Sequence, residues 1–160
     1  MKTLIVCAAN VCRSPAAEAL WLAAMEERGL RGSVASAGLQ ARPGQRPSPT
    51  MTQLLLDRGY VMPGHGSNPF FRALACRHEL ILVMEPAQQR QVVALAPELM
   101  GRVHLLGRWG QGAIEDPTGG PAAGYERCLD QLMFAVDAWM ERLKGRPRAL
   151  PERVAETVDA

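Results

Sequence analysis

The stretch Cys7-Ala8-Ala9-Asn10-Val11-Cys12-Arg13-Ser14-Pro15 constrains this chain more than any other. The apolar run before it, Thr3-Leu4-Ile5-Val6, reads as a buried strand. The segment after it, from Pro15 to Arg28, reads as a helix, with Ser14 as N-cap, Pro15 at the first helical position and Gly29 as terminator. Leu20, Trp21, Ala24 and Met25 share one face of that helix. A cysteine is therefore expected at the C-terminal end of a strand, with an arginine and a serine where the next helix opens. Loop N–H groups and a helix N-terminus then converge on one spot and favour negative charge there. Such a setting also favours thiolate over thiol. Arg13 adds a planar, permanently charged fork able to hold two oxygens of a phosphate. The pattern points to nucleophilic attack by Cys7 on phosphorus.

The rest of the chain alternates strands and helices. Ser33 to Gly38 reads as a second strand, followed by a loop over 39–49 with three prolines and two arginines. Ser48-Pro49 opens a helix that runs to Gly59, and Asn68-Pro69 is a second cap-and-start signal for a short helix ending near Cys76. Glu79 to Met84 is a third apolar run, Glu85-Pro86 begins a helix to about Ala96 that Pro97 interrupts, and Arg102 to Leu106 is a fourth, shorter strand. A loop from Gly107 to Gly120 carries Asp116-Pro117. Tyr125, Leu129, Leu132, Val136, Trp139 and Leu143 then recur at helical spacing. Residues 146–160 carry little apolar content and read as a flexible tail on a single domain of residues 1–145. Strands alternating with helices imply an α/β fold: a three-layer, doubly wound, flavodoxin-like sheet of four parallel strands with helices on both faces. Ligands of such sheets sit outside the carboxyl ends of the strands, where Cys7, Ser36 and the Asp116 loop can meet.

Composition narrows the partners. A net charge of +2 over 160 residues gives no reason to expect nucleic acid, and no apolar run approaches the ~20 residues of a membrane span. The start of the chain carries no signal-peptide pattern, so a cytoplasmic protein with free thiols is the expectation. The three histidines, 65, 78 and 104, do not combine with cysteines at metal-ligand spacing, and neither a metal nor another cofactor is expected.

Attack on a phosphate ester needs a proton for the leaving oxygen. Asp116, in a glycine-flanked loop stiffened by Pro117, is the candidate acid, and later the base on the water that cleaves a phosphocysteine. Asn10 tolerates a left-handed backbone and can fix the loop through its amide. The Ser14 hydroxyl can donate to the Cys7 sulfur. Ala8, Ala9, Asn10, Val11, Cys12, Arg13 and Ser14 form the phosphate-binding loop. Cys12 could pair with Cys7 on oxidation, shielding it from irreversible damage. Cys76 and Cys128 read as ordinary core thiols.

The Cys7 loop, Ser36-Ala37-Gly38, His65 and Asp116-Pro117, in that order, resemble a low-molecular-weight protein tyrosine phosphatase, over roughly residues 2–144. Met84-Glu85, Ala96-Pro97-Glu98 and Leu106-Gly107-Arg108-Trp109 resemble the bacterial members, which often dephosphorylate tyrosine kinases controlling capsule or exopolysaccharide export. The resemblance implies Cys7 as nucleophile, Arg13 as phosphate clamp and Asp116 as acid, with Asn10, Ser14, Ser36 and His65 as a supporting network. It implies a tyrosine-phosphorylated protein as partner, such as a bacterial tyrosine kinase, and a monomer or weak dimer. Three stretches depart from the family pattern. Ala9 replaces the usual glycine, so the backbone there cannot need a glycine-only conformation. Thr118 replaces the aromatic that normally follows Asp-Pro and flanks the phenyl ring. Ser67-Asn68 replaces the Ala-Arg that follows the network histidine. Leu39, Arg42, Arg46, Trp109 and Thr118 are then the candidates for the pocket wall.

Three rival functions use a similar loop. An arsenate reductase of the same fold would need a nearby pair of further cysteines, and Cys76 has no partner in the following dozen residues. A sugar-transport phosphocarrier keeps its phosphocysteine and has no use for Arg13 and Asp116. A non-catalytic phosphotyrosine-binding module would trap the phosphate without turnover.

Overall fold

The apolar run that follows Lys2 forms the second strand in from one edge of a four-stranded sheet. In the computed structural model, which describes residues 1–64 and 66–144, β1 (Lys2–Cys7) lies between β2 (Ser33–Gly38) and β3 (Leu80–Val83), and β4 (Val103–Leu105) follows β3. All three pairings are parallel, in the order β2-β1-β3-β4. The helices are α1 (Arg13–Glu27), α2 (Pro49–Asp57), α3 (Arg72–Cys76), α4 (Pro86–Leu95) and α5 (Ala122–Leu143), with a 3-10 turn over Pro97–Arg102.

Side chains of a strand alternate between faces, and here each face has its own core. Ile5, Cys7, Leu80 and Leu82 pack with Leu20 and Trp21 of α1, Leu55 of α2, and Leu129, Leu132 and Val136 of α5. Leu4, Val6, Ile81 and Val83 pack with Ala75 of α3, Val92 of α4 and Leu99 of the 3-10 turn. A strand buried on both sides must be apolar throughout, which is why Leu80-Ile81-Leu82-Val83 shows no alternation. Burying each Leu or Ile contributes about 1.5–3 kcal/mol, so the center of the sheet is a fixed platform for whatever its ends carry. The expected doubly wound, three-layer architecture of four parallel strands is observed.

Two helix starts differ from the sequence expectation. α1 opens at Arg13 with Cys12 at the N-cap and no side-chain cap, so Ser14 lies inside the first turn. Its hydroxyl is committed instead to the Cys7 sulfur and the Asn10 amide. Pro15 still costs nothing there, because the first four N–H groups of a helix lack intrahelical partners. α3 begins at Arg72, not at Asn68-Pro69. Pro69 instead bridges Gly38 in parallel, and the Asn68 carbonyl accepts from the Gly38 N–H at 2.9 Å. The segment is drawn to the end of β2 before it can coil. The expected helix cap at Ser48 is present, its hydroxyl accepting from Met51 N–H. Gly29 ends α1 in a left-handed turn, φ 62°.

The chain leaves β1 toward β2 on one side and returns to β3 on the other. The switch point therefore lies between the C-terminal ends of β1 and β3, where Cys7 and Met84-Glu85 emerge side by side. His65 and the expected tail, 146–160, lie outside the described residues, as does Gly145.

Candidate active site

Cys7 is the last residue of β1, and the chain wraps from it around a tight loop into α1. The turn is made by Asn10, at φ 56° the one left-handed non-glycine among the described residues. Ala9 needs no such conformation, so its methyl is accommodated. A side chain at φ near +60° is strained by about 1–2 kcal/mol, and Asn10 offsets this with three contacts. Its Nδ2 donates to Ser14 Oγ at 2.7 Å and to Ser36 Oγ at 2.9 Å, and its Oδ1 accepts from Asn68 N–H at 2.8 Å. The bond from Asn68 is from backbone, so the identity of that side chain is free. Ser67 is buried and stitches the neighbouring loop, accepting from Gln45 N–H and donating to the Arg42 carbonyl.

The hydroxyl of Ser14 sits 2.9 Å from Cys7 Sγ. Asn10 donates to that same oxygen, and the Ser14 hydroxyl reaches both the sulfur and, at 3.4 Å, the Ala37 carbonyl, so it can donate to a Cys7 thiolate. Ser36 passes its own proton to Glu18 Oε2 at 2.6 Å. The resulting chain, Glu18–Ser36–Asn10–Ser14–Cys7, aligns every donor toward one end or the other without conflict. Gly38 lets the loop lie directly on the end of β2. A Cβ there would stand 2.5 Å from the Ala8 carbonyl oxygen and 2.8 Å from Asn10 N.

Arg13 is 2% exposed, and a buried guanidinium must be paired. Its Nη1 donates to Glu85 Oε1 at 2.5 Å and to the Ile114 carbonyl at 2.8 Å. Its Nη2 lies 3.7 Å from Asp116 Oδ2. Asp116 is 42% exposed, with Oδ1 accepting from Thr118 N–H at 3.1 Å and from the Thr118 hydroxyl at 2.6 Å. Cys7, Asn10, Arg13, Ser14, Ser36 and Asp116 are thus gathered at one end of the sheet.

The expected wall residues are distributed unevenly. Arg46 and Thr118 line a cleft of about 470 Å³ with Val11 of the Cys7 loop and Tyr125 of α5. Leu39 N–H donates to the Cys7 carbonyl, which places it at the rim. Arg42 is exposed, with its carbonyl taken by Ser67. Trp109 is placed elsewhere: its ring stands edge-on to Trp139 at 5.5 Å, between the guanidinium groups of Arg108 and Arg142. Trp139 and Arg142 belong to the far part of α5 and Arg108 to the loop after β4, none of them to the Cys7 loop. Cys12 and Cys128 are buried free thiols, and burial pushes both thiols up, Cys128 to about 12. Among the described residues no group of three or more His, Cys, Asp or Glu could hold a metal ion.

Two carboxylates escaped the sequence reading. Glu85 was legible only as the start of α4, yet the switch point brings it to Arg13. The signal was available in the strand order, since the residue after β3 must face the residue after β1. Glu18 lies one helical turn after Ser14, on the face of α1 toward β2, and only the fold reveals that it meets Ser36.

Comparison with known proteins gives the same picture. The probable low molecular weight protein-tyrosine-phosphatase EpsP of Ralstonia nicotianae is 34% identical over 143 residues, covering 89% of this chain and 95% of that protein. The low molecular weight protein-tyrosine-phosphatase Wzb of Escherichia coli K12 is 36% identical, with 89% and 95% covered. Among solved structures, the tyrosine phosphatase Wzb from Escherichia coli K30 superposes with TM-score 0.83 at 29% identity, over 89% of this chain and 97% of that one. The YwlE arginine phosphatase superposes with TM-score 0.87 at 27% identity, over 92% and 99%. Residues 2–149 match the profile of the low molecular weight phosphotyrosine protein phosphatases, and the chain belongs to that family.

Proposed function

We propose that this protein hydrolyses phosphotyrosine in proteins through a phosphocysteine on Cys7. The observation that carries the reading is the meeting of Cys7, Arg13 and Asp116 at the end of β1, with Arg13 Nη2 3.7 Å from Asp116 Oδ2. The N–H groups of the loop from Ala8 to Ser14 and the Arg13 fork hold the three non-bridging oxygens. Cys7 Sγ attacks phosphorus in line, the bond to the phenolic oxygen breaks, and Asp116 gives that oxygen its proton. Water then attacks the phosphocysteine and loses a proton to Asp116, and the S–P bond breaks. Sulfur departs as thiolate onto the Ser14 hydroxyl, 2.9 Å away. A phosphorylated bacterial tyrosine kinase of capsule or exopolysaccharide export is the proposed partner, by the likeness to bacterial members of the family. A cytoplasmic location belongs to the same proposal, and no helix among the described residues is long and apolar enough to cross a membrane. Cys12 is proposed to form a disulfide with Cys7 on oxidation.

The test compares phosphotyrosine, phosphoserine and phosphoarginine peptides, the last because a structural neighbor is an arginine phosphatase. Phosphotyrosine should be turned over fastest, with activity abolished in Cys7→Ser. A folded wild type that binds phosphotyrosine without hydrolysing it would establish a binding module instead. Faster turnover of phosphoarginine would move the substrate class.

A further inference from the structure

The cleft beside the Cys7 loop has a composition that the reaction at phosphorus does not use. Its walls are Val11, Gln45, Arg46, Ser48, Pro49, Thr118 and Tyr125. Val11 belongs to the phosphate-binding loop, and Thr118 holds the Asp116 carboxylate. Both sides of the cleft are therefore attached to reacting groups, and it opens at the rim of the same site.

Arg46 is the cation of this cleft. It is exposed, and among the described residues no carboxylate lies within 4 Å of it. The backbone on each side of it is anchored. Gln45 N–H donates to Ser67 Oγ at 2.8 Å, and Ser67 N–H returns a bond to the Gln45 carbonyl at 2.9 Å. Ser48 N–H donates to the Val11 carbonyl at 2.6 Å, which ties the segment to the phosphate-binding loop itself. The root of the Arg46 side chain is thus held in register with Cys7, while its guanidinium stays free to meet a ligand. In the same cleft, Val11, Pro49 and Tyr125 offer apolar surface suited to a short methylene stem.

We propose that this cleft is a subsite for an acidic side chain, aspartate or glutamate, close in sequence to the phosphotyrosine. The proposal rests on the phosphatase reading above. The phosphotyrosine ring occupies the opening over Cys7, and its neighbor in the peptide lies across the rim. The carboxylate of that neighbor pairs with Arg46, and its methylenes lie against Tyr125 and Pro49. The subsite replaces part of the selectivity that an aromatic at position 118 would give: it reads the peptide beside the ring.

The experiment measures kcat/KM on phosphotyrosine peptides with Glu, Ala or Lys at the flanking positions, for wild type, Arg46→Glu and Arg46→Lys. Each value is divided by the same variant's kcat/KM on p-nitrophenyl phosphate, so that any general loss cancels. Wild type should favor Glu over Ala flanks by about two- to fivefold, the range of one exposed ion pair. The preference should shrink as salt rises. Arg46→Glu should reverse the order in favor of Lys flanks, and Arg46→Lys should keep the wild-type order. Equal rates on Glu, Ala and Lys peptides by an enzyme active on p-nitrophenyl phosphate would overturn the subsite alone. The same order in wild type and Arg46→Glu would also overturn it. No hydrolysis of any ester by the folded protein would remove the phosphatase reading, and the subsite with it.

Discussion

Glu85 Oε1 stands 2.5 Å from Arg13 Nη1, across the gap between the ends of β1 and β3. The guanidinium is buried while the carboxylate is 38% exposed, so the pair places its charge at the floor of the site and not in the core. With the Ile114 carbonyl it holds one edge of the fork, and a planar group held at one edge presents the other in a fixed plane.

Glu85→Gln should therefore lower kcat/KM on aryl phosphates by about tenfold, ~1.4 kcal/mol. The variant keeps the length of the side chain but loses the charge that pairs Arg13. Inhibition by inorganic phosphate should weaken in parallel, because the proposed clamp role has Arg13 hold ground state and transition state alike. Unchanged phosphate inhibition would show that Glu85 does not orient the fork.

Asp116 is poised by Thr118, whose N–H and hydroxyl both reach Oδ1. Asp116→Ala should cost about 100-fold or more on phosphotyrosine, the usual scale of a general acid. It should cost far less on p-nitrophenyl phosphate, whose leaving group departs without a proton. Thr118→Val, which removes one of the two donors, should show the same leaving-group signature at a several-fold level. Equal losses on both esters would take Asp116 out of the acid role.

The sheet, its two cores and the helix faces were legible in the sequence because each rests on local pattern. Leu80 to Val83 announces a strand covered on both sides, and the spacing from Leu129 to Trp139 announces one face of α5. The Cys7 loop was equally legible, since strand, loop and helix start are contiguous. What escaped depended on contacts across the fold. Asn68-Pro69 carries a helix-start signal, but pairing with Gly38 overrides it. Ser14 looks like a cap until Cys7 and Asn10 claim its hydroxyl. Trp109 lies in a loop expected near the site, but its ring finds a larger apolar partner in Trp139. Glu85 carries no local pattern that distinguishes an arginine partner from a helix opener; only the strand order brings it to Arg13.

Asn10 separates two contributions that are usually mixed. Asn10→Ala loses all three side-chain contacts and keeps the strained φ, whereas Asn10→Gly loses the contacts but relieves the strain. Urea denaturation should find the alanine variant less stable than the glycine variant by about 1 kcal/mol. Both should lose activity, since neither keeps the amide that anchors the Ser14 hydroxyl beside Cys7. A glycine variant with wild-type activity would show that the chain from Glu18 to Cys7 has no part in turnover.

The two buried thiols at the back of the loop make an alkaline prediction. Burial is the main cause that raises both Cys12 and Cys128 from their ordinary value of 9.0, Cys128 to about 12. The unfolded chain releases these protons near pH 9, while the folded chain retains that of Cys128 until about pH 12. Between the two, the unfolded state binds fewer protons, so stability falls as pH rises, by about 1.4 kcal/mol per pH unit for each thiol. Below pH 9 this contribution is fully present. Cys128→Ala removes one such proton. Its stability at neutral pH should drop through lost packing, but its decline between about pH 9 and 10 should be shallower than wild type by the slope of one thiol. Urea midpoints for the two proteins should therefore converge as pH rises. Parallel lines would mean that Cys128 ionises alike in the folded and unfolded chains.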